Sequence, residues 1–207
     1  MDIATERSVM AEITAKQIAE LRAKTGIGMM ECKGALIEAN GVEEKALEIL
    51  RKKGSLKAAK RAERETKAGV VDAYIHANGR IGVMVEVLVE TDFVAKNEEF
   101  KAFAHDVALH VAAMNPQYVS RNDVPAEIVE QEKAALADEV KDSGKPAEIA
   151  EKIVAGRMDK FFAETCLMEQ SFVKDPDKTI SDLLTEKIAK IGEKISISRF
   201  CRFEIGC

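Results

Sequence analysis

The segment Thr91-Asp92-Phe93-Val94 carries the side chains of this chain that are best suited to act on another molecule. It follows residues 81–90, the most apolar strand-like segment, and precedes a predicted helix start. An acidic group beside an aromatic ring at the end of a strand packs poorly in its own domain and suits insertion into a partner protein. Two simpler interpretations stay open on the pattern alone: Asp92 could cap the helix, and Phe93 could fold back into the core.

The other reactive side chains are four cysteines and three histidines: Cys32, Cys166, Cys201, Cys207, His76, His105 and His110. No two cysteines form a C-x-x-C pair, and His105 and His110 are five residues apart, which is not the i, i+4 spacing of a helical metal site. We therefore expect no metal site. A cysteine-dependent enzyme that uses Cys32 or Cys166 with His110 is an alternative, but no motif brings these residues together.

Cysteine usage also bears on the compartment. The N-terminus lacks a signal-peptide pattern, and no apolar run approaches the 18 residues of a membrane span, so we expect a cytosolic protein with reduced thiols and no membrane contact. Cys201 and Cys207 could pair across a dimer under oxidation, although a buried free thiol is the favoured role of Cys201.

Composition restricts the class of protein further. The chain has 207 residues, of which 46% are apolar and 32% charged, values typical of a soluble globular protein. The formal net charge of −5 argues against a generic nucleic-acid binder. No P-loop pattern is present, so we expect no bound nucleotide and no other cofactor.

Residues 51–67 are locally basic, with eight lysines or arginines against Glu63 and Glu65. Such a run could contact RNA or the ribosome. No aromatic residues are interleaved with the charges for base stacking, so a solvated linker helix is the favoured interpretation.

The elements that must position these side chains begin with three predicted helices, over residues 14–24, 29–39 and 43–53. Thr14 and Gln17 have capping-box spacing, Asn40-Gly41 ends the second helix, and Gly54 is predicted to end the third. Residues 1–13 are predicted to be an N-terminal extension in which Met10 could be the start. Residues 14–54 would then form a three-helix domain, followed by a basic linker helix over 55–68.

A β-hairpin is predicted over residues 69–90, with Asn78-Gly79 as its turn. The apolar faces are predicted to consist of Val71, Ala73, Ile75 and Ala77 on the first strand and Ile81, Val83, Val85, Val87 and Val89 on the second. A long helix begins near Asn97, and its apolar stripe is flanked by His110. The first part of the core domain is predicted to span residues 69–123.

Residues 124–163 have sparse apolar positions and a central Ser143-Gly144-Lys145-Pro146 turn, which predicts an inserted, charge-covered helical hairpin. Residues 164–207 form the second part of the core, with a helix after Thr179 and a last strand over 194–205. That strand is predicted to pair with the β-hairpin. The fold class is therefore α+β, with a three-stranded antiparallel sheet packed by helices.

Several segments resemble the elongation factor Ts family of bacteria. They are LRAKTGIGMMECKGAL at 21–36, ETDFVAKN at 90–97, SGKP at 143–146 through GRM at 156–158, and RFEIG at 202–206. They occur in colinear order over nearly the whole chain. Gly34 departs from the pattern, because the family more often has a basic or polar residue there.

The resemblance implies a guanine-nucleotide exchange factor that binds elongation factor Tu, promotes GDP release and is not an enzyme. The N-terminal domain would be UBA-like, with Arg22, Met29 and Met30 in contact with the partner's nucleotide-binding domain. Asp92 and Phe93, with Thr91 and Val94 of the same motif, would insert beside the partner's magnesium site, and His110 is a further expected contact residue. The single Thr-Asp-Phe-Val motif implies a short form, in which a homodimer supplies the second half of the core.

Overall fold

The computed structural model describes residues 13–77, 79–141 and 146–206. The extension up to residue 12 with Met10, residue Asn78 of the predicted β-turn, Ser143-Gly144-Lys145 and Cys207 lie outside the described residues. In chain order the helices and strands are α1 (Ala15–Thr25), α2 (Met29–Glu38), α3 (Glu43–Arg61), β1 (Ala68–Ile75), β2 (Ile81–Val89), α4 (Asp92–Ala95), α5 (Glu98–Met114), α6 (Ala126–Lys141), α7 (Ala147–Thr165), β3 (Ser171–Phe172), β4 (Asp175–Thr179), α8 (Ile180–Ile191) and β5 (Ile195–Glu204).

The chain divides into two compact units, one of residues 1–64 with 185–194 and one of residues 65–184 with 195–207. In the first unit, Thr14 caps α1, and its reciprocal hydrogen bonds with Gln17 form the predicted capping box. Asn40 and Gly41 both have positive φ and end α2, with the Gly41 N–H donating to the Leu36 carbonyl at 2.8 Å. The buried cluster of this unit is Leu21, Cys32, Ala35, Leu36, Ala39, Ala46 and Leu50.

The predicted end of the third helix at Gly54 is wrong. Helix α3 continues to Arg61, so the first half of the predicted linker helix is the end of α3, and β1 already begins at Ala68. Gly54 is buried and lies four residues after Leu50 and eight after Ala46, on the buried side of the helix. A glycine costs a helix interior only about 1 kcal/mol, and here its missing side chain makes room for a neighbour.

The second unit is built on a three-stranded antiparallel sheet in the order β1-β2-β5, which confirms the predicted α+β class and the pairing of the last strand with the hairpin. Helix α5 packs on one face of this sheet, and its stripe of Phe100, Phe103, Ala104, Val107, Ala108 and Val111 is fully buried as predicted. The predicted alternation of β2 also holds, since Val83, Val85, Val87 and Val89 are buried.

The predicted face of the first strand is wrong. Val70, Asp72 and Tyr74 pair with Val87, Val85 and Val83, so these three residues of β1 face the helix side of the sheet. Val71, Ala73 and Ile75 are exposed on the opposite face, which we call the outer sheet face. Both faces of β1 carry apolar residues, so alternation alone could not decide which face is buried.

The predicted helical hairpin is present as α6 and α7, whose contact is centred on the buried side chains of Val140, Val154 and Met158. Its base is held by hydrogen bonds from the Gln117 and Tyr118 N–H groups to the Thr165 carbonyl, at 2.9 and 3.1 Å. Arg121 adds an ion pair with Glu169, which raises the pKa of Arg121. The short β3–β4 ribbon that comes next was not predicted from the sequence.

Candidate partner-binding site

The Thr-Asp-Phe-Val motif forms a single helical turn, α4, between β2 and α5. Thr91 is the N-cap in an extended conformation, and its hydroxyl oxygen accepts the Val94 N–H at 3.4 Å. Asp92 and Phe93 are both exposed, and residue Phe93 has 86% of its surface accessible. The interpretation in which Phe93 folds back into the core therefore does not hold.

Buried residues within and on both sides of the turn hold it in place. Val94 and Ala95 are buried, and the preceding Val89 and following Phe100 are completely buried. Asn97 begins α5, with its side-chain oxygen accepting the Glu99 N–H at 2.8 Å. An exposed aromatic ring on a turn anchored at both ends is presented without a large loss of conformational entropy on binding.

The N-terminal candidates lie in the other unit. Met29 and Met30 form the first turn of α2, and both are exposed, Met30 to 77%. Arg22 is exposed in the last turn of α1. Two adjacent exposed methionines on a helix end suit an adaptable apolar contact with another protein. Partner contact by these three residues stays a prediction.

His110 differs from the other candidates because its side chain is completely buried. Its Nδ1 accepts the Val173 N–H at 3.2 Å, and its Nε2 lies 3.0 Å from the Gln170 side-chain oxygen. Gln170 in turn donates to the Glu164 carbonyl at 2.7 Å. The partners assign the neutral tautomer with the proton on Nε2, and burial lowers the pKa of His110.

These hydrogen bonds indicate that His110 stabilises the core of its unit. Through Gln170 it connects α5 to Glu164 near the end of α7, and it binds Val173 in the turn between β3 and β4 directly. Gln170, the buried polar partner, was missed by sequence reasoning, because an isolated glutamine carries no sequence signal of burial.

Within the described residues, Cys32 and Cys166 do not form a nucleophilic site with His110. Cys166 is buried, burial raises the pKa of its thiol, and both ring nitrogens of His110 are taken by other partners. Cys32 is buried in the N-terminal cluster, with its thiol 3.6 Å from the Ile27 carbonyl. The prediction of a buried thiol at Cys201 is wrong, since Cys201 is exposed on the outer sheet face.

A β-bulge is the reason for the exposure of Cys201. Val87 pairs with Ile197 and Glu86 pairs with Arg199, so Ser198 is an extra residue in β5. The extra residue reverses the alternation of the strand beyond it, which turns Cys201 outward.

The basic segment is partly neutralised within its own unit. Lys53 pairs with Glu38 at 2.6 Å, and Lys57 pairs with Glu31 at 2.5 Å. Lysines that are engaged by carboxylates attract a phosphate backbone less, which favours the solvated-helix interpretation over RNA contact.

Within residues 13–77, 79–141 and 146–206, no group of three or more His, Cys, Asp and Glu side chains is placed to hold a metal ion. In the same ranges, no helix has both the length and the apolar character needed to cross a membrane.

Comparison with known proteins gives consistent matches over nearly the whole chain. A family model described as elongation factor TS matches residues 6–207. Elongation factor Ts of Carboxydothermus hydrogenoformans is 59% identical over 194 residues, covering 94% of this chain and 89% of that protein. Elongation factor Ts of Fervidobacterium nodosum is 53% identical over 195 residues, covering 94% of this chain and 99% of that protein.

Proposed function

Because the chain belongs to the elongation factor Ts family, whose members are guanine-nucleotide exchange factors for elongation factor Tu, we propose that it promotes GDP release by inserting Phe93 into that partner. Family membership confirms the prediction of a cytoplasmic translation factor that is not an enzyme. The observation that carries the proposal for Phe93 is its 86% exposure on a turn whose next residues are buried.

Exchange needs no acid, base or cofactor, because it works by differential binding. The factor holds the nucleotide-free partner more tightly than the GDP-bound partner, and linkage makes the antagonism between factor and GDP mutual. A ten-thousand-fold shift requires a difference of about 5.5 kcal/mol between the two states. Burial of one phenylalanine ring supplies about 2–3 kcal/mol.

The remainder must come from disturbing what holds the Mg²⁺ ion and the phosphates of GDP in the partner. Asp92 stands next to Phe93 on the same exposed turn and brings a negative charge toward that site. Such a charge competes for the cationic groups that hold phosphate. Thr91 and Val94 contribute by fixing the turn, Thr91 through its cap and Val94 through its burial.

Arg22, Met29 and Met30 enlarge the interface from the N-terminal unit. The two methionines offer apolar surface, and Arg22 offers a planar cation that can pair with a carboxylate. We assign them mainly to affinity, because nothing in their chemistry distinguishes the nucleotide-free partner from the GDP-bound one. His110 is assigned to support of the core.

We also propose that the chain forms a homodimer through the outer sheet face. Phe203 and Ile75 are 71% and 65% exposed there, and Met84 lies between Ala73 and Cys201 in the sheet register. An exposed apolar sheet face of this kind is typical of a protein–protein interface, and the same face of a second copy would bury it. Each copy would then provide one half of a double core.

The direct test is release of a fluorescent GDP analogue from elongation factor Tu, measured by stopped flow with and without the protein. We expect release to accelerate and to saturate with factor concentration. Calorimetry on the protein alone should show no binding of GDP. Unchanged release, together with salt-sensitive binding to ribosomal RNA through residues 51–67, would instead favour the RNA-binding alternative.

A further inference from the structure

The N-terminal unit includes a segment from far along the chain, residues 185–194, which contain the last turns of α8. One of its contacts is at Gly26, the C-cap residue of α1. A Cβ added at Gly26 would lie 2.5 Å from Cε and 2.8 Å from Nζ of Lys190. The lysine side chain therefore occupies the space that a side chain at position 26 would need.

A second contact of the same segment is at Gly54 in α3. A Cβ added there would lie 3.4 Å from Cβ of Ala189 and 3.8 Å from Cγ2 of Thr185. Gly54 is thus a point where α3 packs directly against the last turns of α8. This contact gives a physical reason for a glycine in the interior of a long helix.

A third contact lies just beyond the end of α8. The Lys194 ammonium donates a hydrogen bond to the Arg64 carbonyl at 2.8 Å. The segment 185–194 therefore touches the N-terminal unit near the end of α1, in the middle of α3 and after α3.

The contact at Gly26 matters because this glycine lies close to the exposed methionines in the sequence. Gly26 has φ of 66°, and only two residues separate it from Met29, the first residue of α2. The N-cap residue of α2 is Gly28, which provides no side-chain cap. Thr25 and Cys32 hold the turn from the two helices that it joins, and Lys190 holds it from a distant part of the chain.

We infer that residues 185–194 complete the partner-binding surface of the N-terminal unit, and that Lys190 is a positioning residue for Met29 and Met30. The role rests on the aliphatic part of Lys190, which covers Gly26. This inference rests on the proposed function, because Met29 and Met30 are assigned there to partner affinity. It adds that the binding surface is built from two segments far apart in sequence.

The first experiment compares Lys190→Ala, Lys190→Met and Lys152→Ala in the full-length protein. Lys152 is an exposed lysine on α7, so its substitution removes the same charge outside the N-terminal unit. Hydrogen exchange of the free protein should accelerate at the amides of residues 26–30 in Lys190→Ala only. Lys190→Met keeps most of the covering chain and should restore the protection.

The same variants are then titrated against elongation factor Tu. We expect Lys190→Ala to raise the dissociation constant about three- to ten-fold with an unchanged saturating rate of GDP release. Lys190→Met should stay near the parent value, as should Lys152→Ala. Unchanged exchange protection and unchanged affinity in Lys190→Ala would overturn the inference, as would a lower saturating rate at unchanged affinity.

A second pair of variants tests the contact at Gly54. Gly54→Leu must displace Ala189, whereas Gly156→Leu places the same side chain on α7, where a Cβ meets nothing within 4 Å. Gly54→Leu should weaken partner binding and expose the amides of residues 185–190 to exchange, and Gly156→Leu should do neither. Failure of the parent protein to accelerate GDP release would refute the proposed function instead, and the exchange data on the free protein would still decide the role of Lys190.

Discussion

Phe93 and Val94 are consecutive residues with opposite environments: Phe93 is 86% exposed, whereas Val94 is 7% exposed. The Thr91 hydroxyl, which accepts the Val94 N–H, closes the turn that produces this contrast. The turn therefore exposes the Phe93 side chain to a partner, while the neighbouring Val94 side chain anchors the turn in the core. Substitutions at the two positions should have different effects.

Phe93→Ala should lower the saturating rate of GDP release about ten- to thirty-fold, with a smaller loss of affinity. The reason is that the ring interacts most strongly with the nucleotide-free partner, and a difference of about 1.4 to 2 kcal/mol corresponds to that factor. The thermal midpoint should stay unchanged, because the ring is exposed. The measurement is stopped-flow GDP release across factor concentrations.

Two neighbouring variants serve as controls. Asp92→Ala should have a smaller effect on the rate, since a charge at a partly hydrated rim contributes less than a buried ring. Val94→Ala should lower the free energy of unfolding by about 1–3 kcal/mol. If Phe93→Ala keeps the full saturating rate and changes only the half-saturation point, Phe93 is an anchor and insertion is the wrong mechanism.

Met30→Ala should weaken complex formation without slowing saturated exchange. Met30 is 77% exposed on the first turn of α2, so its loss removes interface area and leaves the domain core intact. We expect the dissociation constant to rise about three- to thirty-fold, the range for one apolar interface side chain. Leu36→Ala, at a buried position on the same helix, should instead reduce stability by about 2–5 kcal/mol. Unchanged affinity of the Met30→Ala variant would show that Met30 does not contribute to the interface.

His110 should make the stability of the core depend on pH in the acid range. Burial lowers its pKa below the ordinary value of 6.5. As the pH falls below about 6.5, His110 becomes protonated in the unfolded chain but stays neutral in the folded protein. The free energy of unfolding therefore falls. The loss ends once the pH passes the lowered pKa of the folded state. Above about pH 7, His110 contributes no pH dependence.

The measurement is urea unfolding of the parent and His110→Asn between about pH 5 and 8. His110→Asn should be less stable at about pH 7.5, because it disturbs the bonds to Val173 and Gln170, and its stability should fall less steeply toward acid pH. The difference between the two slopes isolates His110 from the other titrating groups. Parallel slopes would show that His110 titrates alike in the folded and unfolded states.

Much of the fold was accessible from the sequence because the signals were local. The capping box of Thr14 and Gln17, the valine alternation of β2 and the stripe of α5 each lie within a few residues, and the structure contains all three. The α+β class and the antiparallel pairing of β5 followed from their order.

The face of β1 was ambiguous because both of its faces carry apolar residues, whereas other features depend on contact between segments far apart in the chain. Gly54 looks like a helix end until Ala189 is seen beside it. Cys201 looks buried until the bulge at Ser198 reverses the alternation of β5. The burial of His110 depends on its hydrogen-bond partners Gln170 and Val173, which are 60 and 63 residues away in the sequence. For the candidate site, the sequence indicated the exposed turn, while its partner contacts stay predictions.

Removing the helical hairpin should leave exchange largely intact. Replacing residues 126–162 by a short Gly-Ser linker keeps Arg121, Thr165 and Glu169, which hold its base together. The buried cluster of the hairpin lies between α6 and α7, so its loss should not open the main core. Circular dichroism should show a cooperative transition at a similar midpoint, and GDP release should stay within about three-fold of the parent. Loss of cooperative melting would show that the hairpin is part of the core fold.

The outer sheet face should determine the oligomeric state. Phe203→Lys and Met84→Lys each place a charge among the exposed apolar side chains of this face, and a charge buried at a dimer interface is costly. We expect the parent protein to be a dimer in light scattering at micromolar concentration, and each variant to be a folded monomer with the circular dichroism of the parent. Val173→Lys, an exposed apolar position in the β3–β4 turn, is the control and should remain dimeric. If both sheet-face variants remain dimers, the dimer interface lies elsewhere on the protein. A monomeric parent protein would refute the homodimer.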